Sequence, residues 1–202
     1  MKRKATEHLR QSDPVMGEIV ERVGRCTILY RPPEFETLAR SIVYQQLNGK
    51  AASTILGRLL EAAKADPVTP EAILKLRPER MRKLGLSGQK TTYLRELARM
   101  TRDGEIDFAA CRKLDDDEVV AHLTQVKGVG VWTVHMFQIF ALRRPDVLPT
   151  GDFGVRTAMQ KAYGLEALPS PAEMTRLAEP WRPFRSFASW YLWRSLDAEA
   201  QI

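Results

Sequence analysis

Apolar residues recur along this chain mostly at spacings of three and four, the period expected of helices that bury one face. Val15, Ile19 and Val23 follow this period in a first helix predicted over residues 12–24, and Pro14 suits its first turn. No stretch alternates apolar and polar residues for long enough to indicate a β-strand. The pattern therefore predicts an all-α fold.

The helix predicted over residues 34–47 has an unusual end, the sequence Tyr-Gln-Gln-Leu-Asn-Gly at positions 44–49. Asn48 and Gly49 are predicted to form its C-cap. On the residues alone, a polar helix end explains the two glutamines. The same periodicity predicts further helices over 50–65, 89–102 and 184–196, two short helical pieces between 70 and 84, and a helix that opens with the acidic run at 115–118.

The stretch from residue 123 to 156 carries the most information. It contains the turn Val126-Lys127-Gly128-Val129-Gly130. Two glycines one residue apart permit positive φ angles, so two helices can be joined by very few residues. The second helix then starts with free N–H groups, which can bind an anion. Lys127 adds a positive charge beside them. An ordinary turn between helices is the alternative interpretation.

The residues after the turn, 131–142, are nearly all apolar and predict a buried helix. A loop containing Pro149 and Gly151 follows, and Asp152 then opens another helix. Aspartate is a favoured N-cap, so Asp152 has a structural interpretation as well as a chemical one, and one residue can serve in both ways.

The hairpin, the apolar helix, the Gly/Pro loop and the single aspartate occur in the order seen in the helix-hairpin-helix–Gly/Pro–Asp superfamily of DNA glycosylases. Within that superfamily the chain most resembles the 3-methyladenine DNA glycosylase II branch. The resemblance implies one domain over residues 1–202, built from two helical subdomains with the active-site cleft between them. The helical barrel subdomain would span about 34–130, and the second would combine about 1–33 with 131–202.

The resemblance also implies the chemistry. Asp152 matches the catalytic aspartate, whereas nearby Asp146 is expected to be dispensable. Bifunctional relatives carry a nucleophilic lysine two residues after the second hairpin glycine, where this chain has Trp132. A monofunctional enzyme without lyase activity is therefore expected. Trp132 and Trp193 match pocket-lining aromatics, and Met136 replaces an aromatic, which leaves the lesion range open.

DNA contacts follow from the same resemblance. Gln46 or Leu47 would be the wedge that fills the gap left by a flipped base, with Gln45 supporting it. Residues 126–130 would hold a DNA phosphate. The backbone carbonyls of Thr124, Val126 and Val129 would hold a structural Na⁺ or K⁺. The stretch around Lys90 is interpreted as a structural turn, with a phosphate contact from Lys90 as a further role.

Composition adds several expectations. Lys and Arg number 31 against 25 Asp and Glu, giving a net charge of +6 and a pI near 9.5, which suits a nucleic-acid partner. Two cysteines cannot supply the four ligands of the iron–sulfur cluster found in some relatives, so no such cofactor is expected. No apolar run approaches the roughly 20 residues of a membrane span, and no secretory signal is evident. We expect a cytoplasmic monomer, associated with the nucleoid if the source is bacterial.

The resemblance therefore implies a monofunctional DNA glycosylase of base excision repair that acts on double-stranded DNA and releases alkylated bases of the 3-methyladenine and 7-methylguanine class. Base flipping and Asp-assisted water attack would leave an abasic site. Two alternatives remain open. One is a non-catalytic helix-hairpin-helix DNA-binding protein, and the other is a glycosylase for a different lesion such as uracil or hypoxanthine.

Overall fold

The computed structural model describes residues 1–199, and within that range the chain forms helices and turns with no β-strand. The α-helices are α1 Lys2–Ser12, α2 Pro14–Val23, α3 Phe35–Tyr44, α4 Gly49–Ala63, α5 Pro70–Lys75, α6 Pro78–Lys83, α7 Gly88–Arg102, α8 Asp116–Leu123, α9 Val131–Phe137, α10 Phe153–Tyr163, α11 Pro171–Leu177 and α12 Arg185–Glu199. Short 3-10 helices cover Ala110–Arg112 and Glu179–Trp181, and a π-helical segment covers Gln138–Leu142. The predicted all-α fold is confirmed.

The chain folds into two compact units. The central unit contains Arg31–Phe137, and the terminal unit combines Met1–Tyr30 with the chain from Gln138 onward. None of the described helices has both the length and the apolar character needed to cross a membrane.

Helix α7 organises the central unit, because α3, α5 and α6 all pack against it. Its start is capped by Ser87, whose hydroxyl accepts the amide of Lys90 at 3.2 Å. Its buried face includes Leu94 and Leu97, both fully inaccessible to solvent. The N-terminal end of α7 is thus fixed in the central unit, where Lys90 contacts the end of α3 and Tyr93 contacts the turn at Gly128.

The terminal unit is built around α12, which packs against α2 and α10. Asp13 is the N-cap of α2, and its carboxylate also accepts the indole N–H of Trp181 at 2.9 Å and the hydroxyl of Tyr163 at the end of α10. Burial, reinforced by the Asp13 carboxylate, raises the pKa of the Tyr163 hydroxyl. Asp13 therefore ties the C-terminal end of α10 to the rest of this unit.

The helices of the structure differ from the sequence prediction at α1 and after α9. Helix α1 was not predicted, because only Ala5 and Leu9 in this charged segment are buried. The segment 131–142 was predicted as a single helix, but α9 ends at Phe137 and the chain continues in π-helical geometry. The amide of Arg144 closes this segment by donating to the carbonyl of Gln138 at 2.9 Å.

Candidate active site and nucleic-acid interface

The turn between α8 and α9 is anchored by two valines. Val126 is fully buried and Val129 is 4% exposed, whereas Lys127 between them is exposed. The amide of Val129 donates to the carbonyl of Val126 at 3.0 Å and closes the turn. A tight turn between two helices thus lies where the sequence predicted it, with its lysine directed to solvent.

Gly128 in this turn cannot be replaced without rearrangement. Its φ angle is +87°, and a Cβ built on it would lie 2.1 Å from an atom of the Tyr93 ring. A side chain would meet both the unfavourable left-handed backbone and an aromatic ring on α7. The turn therefore lies directly against Tyr93, a contact that the sequence did not reveal.

The start of α9 is exposed, contrary to the prediction of a helix buried on all sides. Val131 is 50% exposed and Trp132 is 46% exposed, although Val134 and Phe137 are buried. Met136 lies one helical turn after Trp132 and is partly exposed. Apolar character alone did not distinguish a buried helix from one whose first turn presents a large aromatic side chain to its surroundings.

The segment Gln45–Leu47 forms a turn between α3 and α4. Gln46 is exposed and has φ +55°, and Leu47 is 39% exposed. The prediction that Asn48 and Gly49 cap the end of α3 was wrong. Asn48 is instead the N-cap of α4, and its side chain accepts the amide of Ala51 at 2.9 Å. Asparagine serves at either helix end, and here the following helix begins at once.

Two side chains fasten this turn to its neighbours within the central unit. The Nε2 group of Gln45 donates to the carbonyl of Gly128 at 2.8 Å. The ammonium of Lys90 donates to the carbonyl of Val43 at 2.7 Å, and partial burial lowers its pKa. The structural interpretation of the Lys90 stretch is therefore supported by a specific bond.

Asp152 lies at the start of α10 and is 8% exposed. Its Oδ1 atom accepts the amide of Val155 at 2.8 Å, which makes it the N-cap of this helix as the sequence suggested. The same oxygen accepts the indole N–H of Trp193 from α12, also at 2.8 Å. A carboxylate is thus held at the positive end of a helix dipole by a backbone donor and a side-chain donor.

Gly154 makes this arrangement possible. A Cβ on Gly154 would lie 3.1 Å from Cδ1 of Trp193 and 3.2 Å from Oδ1 of Asp152. The indole consequently passes over a glycine to reach the carboxylate. The spacing Asp-x-Gly was visible in the sequence, but its meaning depended on a tryptophan 41 residues away.

Aromatic rings accompany the aspartate within the terminal unit. Phe140 stacks on Trp193, with ring centroids 5.7 Å apart and an interplanar angle of 28°. Phe153, directly after Asp152, is 70% exposed. Sequence reasoning missed Phe140, which stacks on Trp193, and Phe153, although an aromatic residue directly after an N-cap aspartate was a visible signal for Phe153.

Asp146 has a clear structural role. Its carboxylate binds the guanidinium of Arg185 at 2.8 and 3.0 Å and that of Arg182 at 2.9 Å. Its side chain is 21% exposed and that of Arg185 is 13% exposed. The expectation that Asp146 is dispensable for catalysis stays a prediction, but its removal would leave a partly buried arginine without its carboxylate.

In the part of the chain that the structure describes, no three His, Cys, Asp or Glu residues are grouped so that they could hold a metal ion. The predicted cation donors, Thr124, Val126 and Val129, are backbone carbonyls at the end of α8 and in the turn. Residues 124–130 include no acidic side chain, so this donor set fits a monovalent cation better than a divalent one.

Comparison with known proteins places these features in a family. Residues 39–183 match the model of the HhH-GPD superfamily of base excision DNA repair proteins. The chain is 34% identical over 201 residues to DNA-3-methyladenine glycosylase 1 of Schizosaccharomyces pombe, covering 95% of this chain and 86% of that protein.

Solved structures give the same result. The 3-methyladenine DNA glycosylase of Schizosaccharomyces pombe in complex with abasic DNA superimposes with a TM-score of 0.84 at 34% identity, covering 96% of this chain and 97% of the other. A DNA-3-methyladenine glycosidase from Bacillus halodurans superimposes with a TM-score of 0.86 at 30% identity, covering 98% and 91%. The matched range includes the helical turn, the Gly/Pro loop and Asp152, and the chain belongs to the HhH-GPD superfamily of base excision DNA repair proteins.

Proposed function

We propose that this protein is a monofunctional DNA glycosylase that releases alkylated bases and leaves an abasic site. The observation that carries the proposal is Asp152, a buried carboxylate oriented by both the start of α10 and the indole of Trp193. Relatives of similar length are DNA-3-methyladenine glycosylases, and this supports the substrate class.

Asp152 would act on the sugar rather than on the base. As the N-glycosidic bond breaks, its electron pair leaves with the base and positive charge develops at C1′ of the deoxyribose. A fixed carboxylate stabilises that charge and orients the attacking water. The water oxygen bonds to C1′ and its proton passes to the carboxylate, so the products are the free base and an abasic site.

An alkylated base makes a modest demand on the enzyme. Alkylation at N3 of adenine or N7 of guanine gives the base a formal positive charge, and it departs as a neutral molecule without a strong general acid. A cationic ring is also attracted to the face of an indole. Trp132 is exposed at the start of α9, with Met136 one turn away, and would offer such a face.

The identity of residue 132 also supports the absence of lyase activity. A lyase of this superfamily forms a Schiff base through a lysine amine, and an indole cannot do so. Trp132 occupies the corresponding place, two residues after Gly130. The product would therefore be an intact strand with an abasic site.

Double-stranded DNA is the partner that the exposed turns suit. Lys127 and the start of α9 are exposed and would be accessible to a phosphate. A Na⁺ or K⁺ held by the carbonyls of Thr124, Val126 and Val129 would neutralise phosphate charge there. Gln46 and Leu47 are exposed at a separate turn, as side chains that enter a duplex must be.

Methylated duplex DNA tests the proposal directly. Released bases are identified chromatographically, and strand breaks are counted before and after alkali. The proposal predicts release of 3-methyladenine and 7-methylguanine with breaks only after alkali. Breaks without alkali would contradict monofunctionality. Activity on uracil or hypoxanthine duplexes alone would assign the enzyme to another lesion, and binding without release of any base would indicate a DNA-binding protein.

A further inference from the structure

The turn between α3 and α4 holds a residue in an unfavourable backbone conformation. Gln46 has φ +55°, in the left-handed region that residues other than glycine rarely adopt, and its side chain is exposed. Such a conformation persists only where the surroundings impose it. Two side-chain hydrogen bonds within the central unit hold the chain that leads into Gln46.

Lys90 supplies the first restraint. Its ammonium donates to the carbonyl of Val43 at 2.7 Å, within the last turn of α3. The final four carbonyls of a helix lack partners inside that helix, and a positive charge is favourable at this end. Lys90 therefore fixes the point at which the chain leaves α3.

Gln45 supplies the second restraint and connects two turns that are distant in sequence. Its side-chain amide donates to the carbonyl of Gly128, 83 residues further along, at 2.8 Å. Gly128 in turn rests on the ring of Tyr93, since a Cβ there would overlap the ring at 2.1 Å.

The two restraints converge on one helix face. Lys90 and Tyr93 are three residues apart on α7 and so lie on the same side of it. Lys90 holds the end of α3, Tyr93 supports the hairpin, and the Gln45–Gly128 bond links the hairpin back to the turn. These contacts form a closed circuit within the central unit.

We propose that Gln45, Lys90 and Tyr93 are positioning residues that couple the hairpin's hold on the DNA backbone to the insertion of Gln46 and Leu47 into the duplex. This inference rests on the proposed function and assigns Lys90 and Tyr93 a part in it. Once the hairpin is fixed on a phosphate, the circuit sets the position of the wedge turn. Breaking either hydrogen bond lets residues 45–47 relax while the hairpin still grips DNA.

A duplex that carries a tetrahydrofuran abasic analogue opposite 2-aminopurine tests this coupling without any hydrolysis. Insertion of the wedge unstacks the 2-aminopurine and raises its fluorescence. Lys90→Met and Gln45→Met remove the donors; methionine is as long as glutamine and one atom shorter than lysine. We expect each to lower the equilibrium constant for wedge insertion about fivefold, as for the loss of one hydrogen bond. The fluorescence change at saturating protein then falls by up to about fivefold, with affinity for undamaged duplex kept within about twofold.

Matched controls are available on exposed helix surfaces. The controls are Gln89→Met and Lys75→Met. Gln89 lies beside Lys90 on α7, Lys75 lies on α5, and both residues are exposed. Neither substitution should change the fluorescence signal. Lys90→Arg retains a donor and should restore at least half of it. Thermal unfolding of each variant identifies any that fails to fold. If Lys90→Met does not fold, Gln45→Met, which lies in a surface turn, still tests the proposal.

A full fluorescence change in both methionine variants would overturn the proposal. Equal losses of signal and of affinity for undamaged duplex would also overturn it, because the residues would then support DNA binding as a whole. Base release from methylated duplex, measured in parallel with the wild-type protein, separates this inference from the proposed function. Strong wedge fluorescence without base release would refute the activity and leave the coupling standing.

Discussion

The indole Nε1 of Trp193 donates a hydrogen bond to Oδ1 of Asp152 at 2.8 Å, and the amide of Val155 donates to the same oxygen at the same distance. Two donors from different helices therefore fix the orientation of one carboxylate. The sequence suggested Trp193 as a residue that stacks on the substrate. Its polar edge is directed at Asp152, so Trp193 also positions that group, and the pocket role of its ring face stays a prediction.

Trp193→Phe separates the two roles, because phenylalanine keeps an aromatic face toward Phe140 but has no N–H. We expect kcat for base release to fall about 10- to 100-fold with KM nearly unchanged, since a hydrogen bond to a charged group contributes about 1.5–3 kcal/mol. Single-turnover kinetics on a 3-methyladenine duplex measures this. A rise in KM at constant kcat would show that stacking on the substrate is the main role.

Gly154→Ala should disturb the hydrogen bond between Trp193 and Asp152, because Gly154 lies close to both side chains. The added methyl group would lie 3.1 Å from Trp193 and 3.2 Å from Oδ1 of Asp152, so one of the two must shift. We expect base release to fall at least about 10-fold, with a loss of stability of about 1–3 kcal/mol from overpacking. Gly151→Ala is the matched control, because a Cβ there would meet nothing within 4 Å. Full activity of Gly154→Ala would show that the close approach of Trp193 and Asp152 to Gly154 does not matter for base release.

Trp132→Leu tests the preference for a cationic base. Leucine keeps an apolar surface at the start of α9 but removes the electron-rich face. Cation–π attraction contributes about 0.5–2 kcal/mol, so kcat/KM for 7-methylguanine should fall about 2- to 30-fold. Release of neutral hypoxanthine, if measurable, should fall less. Equal losses on both bases would indicate that Trp132 supplies only shape.

Asp146→Asn should lower stability rather than catalysis. Asparagine cannot neutralise Arg185, whose side chain is 13% exposed and which donates two hydrogen bonds to the Asp146 carboxylate. We expect a loss of about 1–3 kcal/mol in the free energy of unfolding, less than for a fully buried pair. Urea unfolding measures it. Base release per folded molecule should match the wild type, and a specific catalytic defect would contradict the structural role.

Local signals predicted a large part of this molecule. The paired glycines around Val129 indicated a tight helical turn, and the acidic run at 115–118 indicated a helix start, which the structure realises as a capping box between Asp115 and Glu118. Asp152 was predicted as an N-cap and is one. Each of these features depends on residues within four positions of each other, which is why the sequence alone was informative.

Other features depend on residues that are far apart in sequence, and no local pattern could give them. Trp193 reaches Asp152 across 41 residues, and Gln45 reaches Gly128 across 83. Periodicity places a side chain on a helix face but does not say what that face meets. For the same reason, the apolar run after the hairpin was predicted to be buried, although Trp132 at its start is 46% exposed.

Asp13 offers a matched control for the central claim. Like Asp152, it is a buried N-cap whose carboxylate accepts an indole N–H, here from Trp181 at 2.9 Å. Asparagine is also a good N-cap, so Asp→Asn removes the charge at either site while retaining an oxygen for the backbone amide. The same substitution is made at both sites, but only Asp152 lies at the proposed reaction centre. At Asp13 it also costs stability, because the second carboxylate oxygen accepts from Trp181 and Tyr163 and an amide NH2 cannot.

The most direct measurement is single-turnover release of 3-methyladenine from duplex DNA by the wild type, Asp152→Asn and Asp13→Asn, with thermal unfolding recorded for each. We predict that Asp152→Asn folds and binds DNA but releases base at least about 100-fold more slowly, as for the loss of a group that acts on the reacting atoms. Asp13→Asn should be less stable but active per folded molecule. Base release by Asp152→Asn at the wild-type rate would contradict the account.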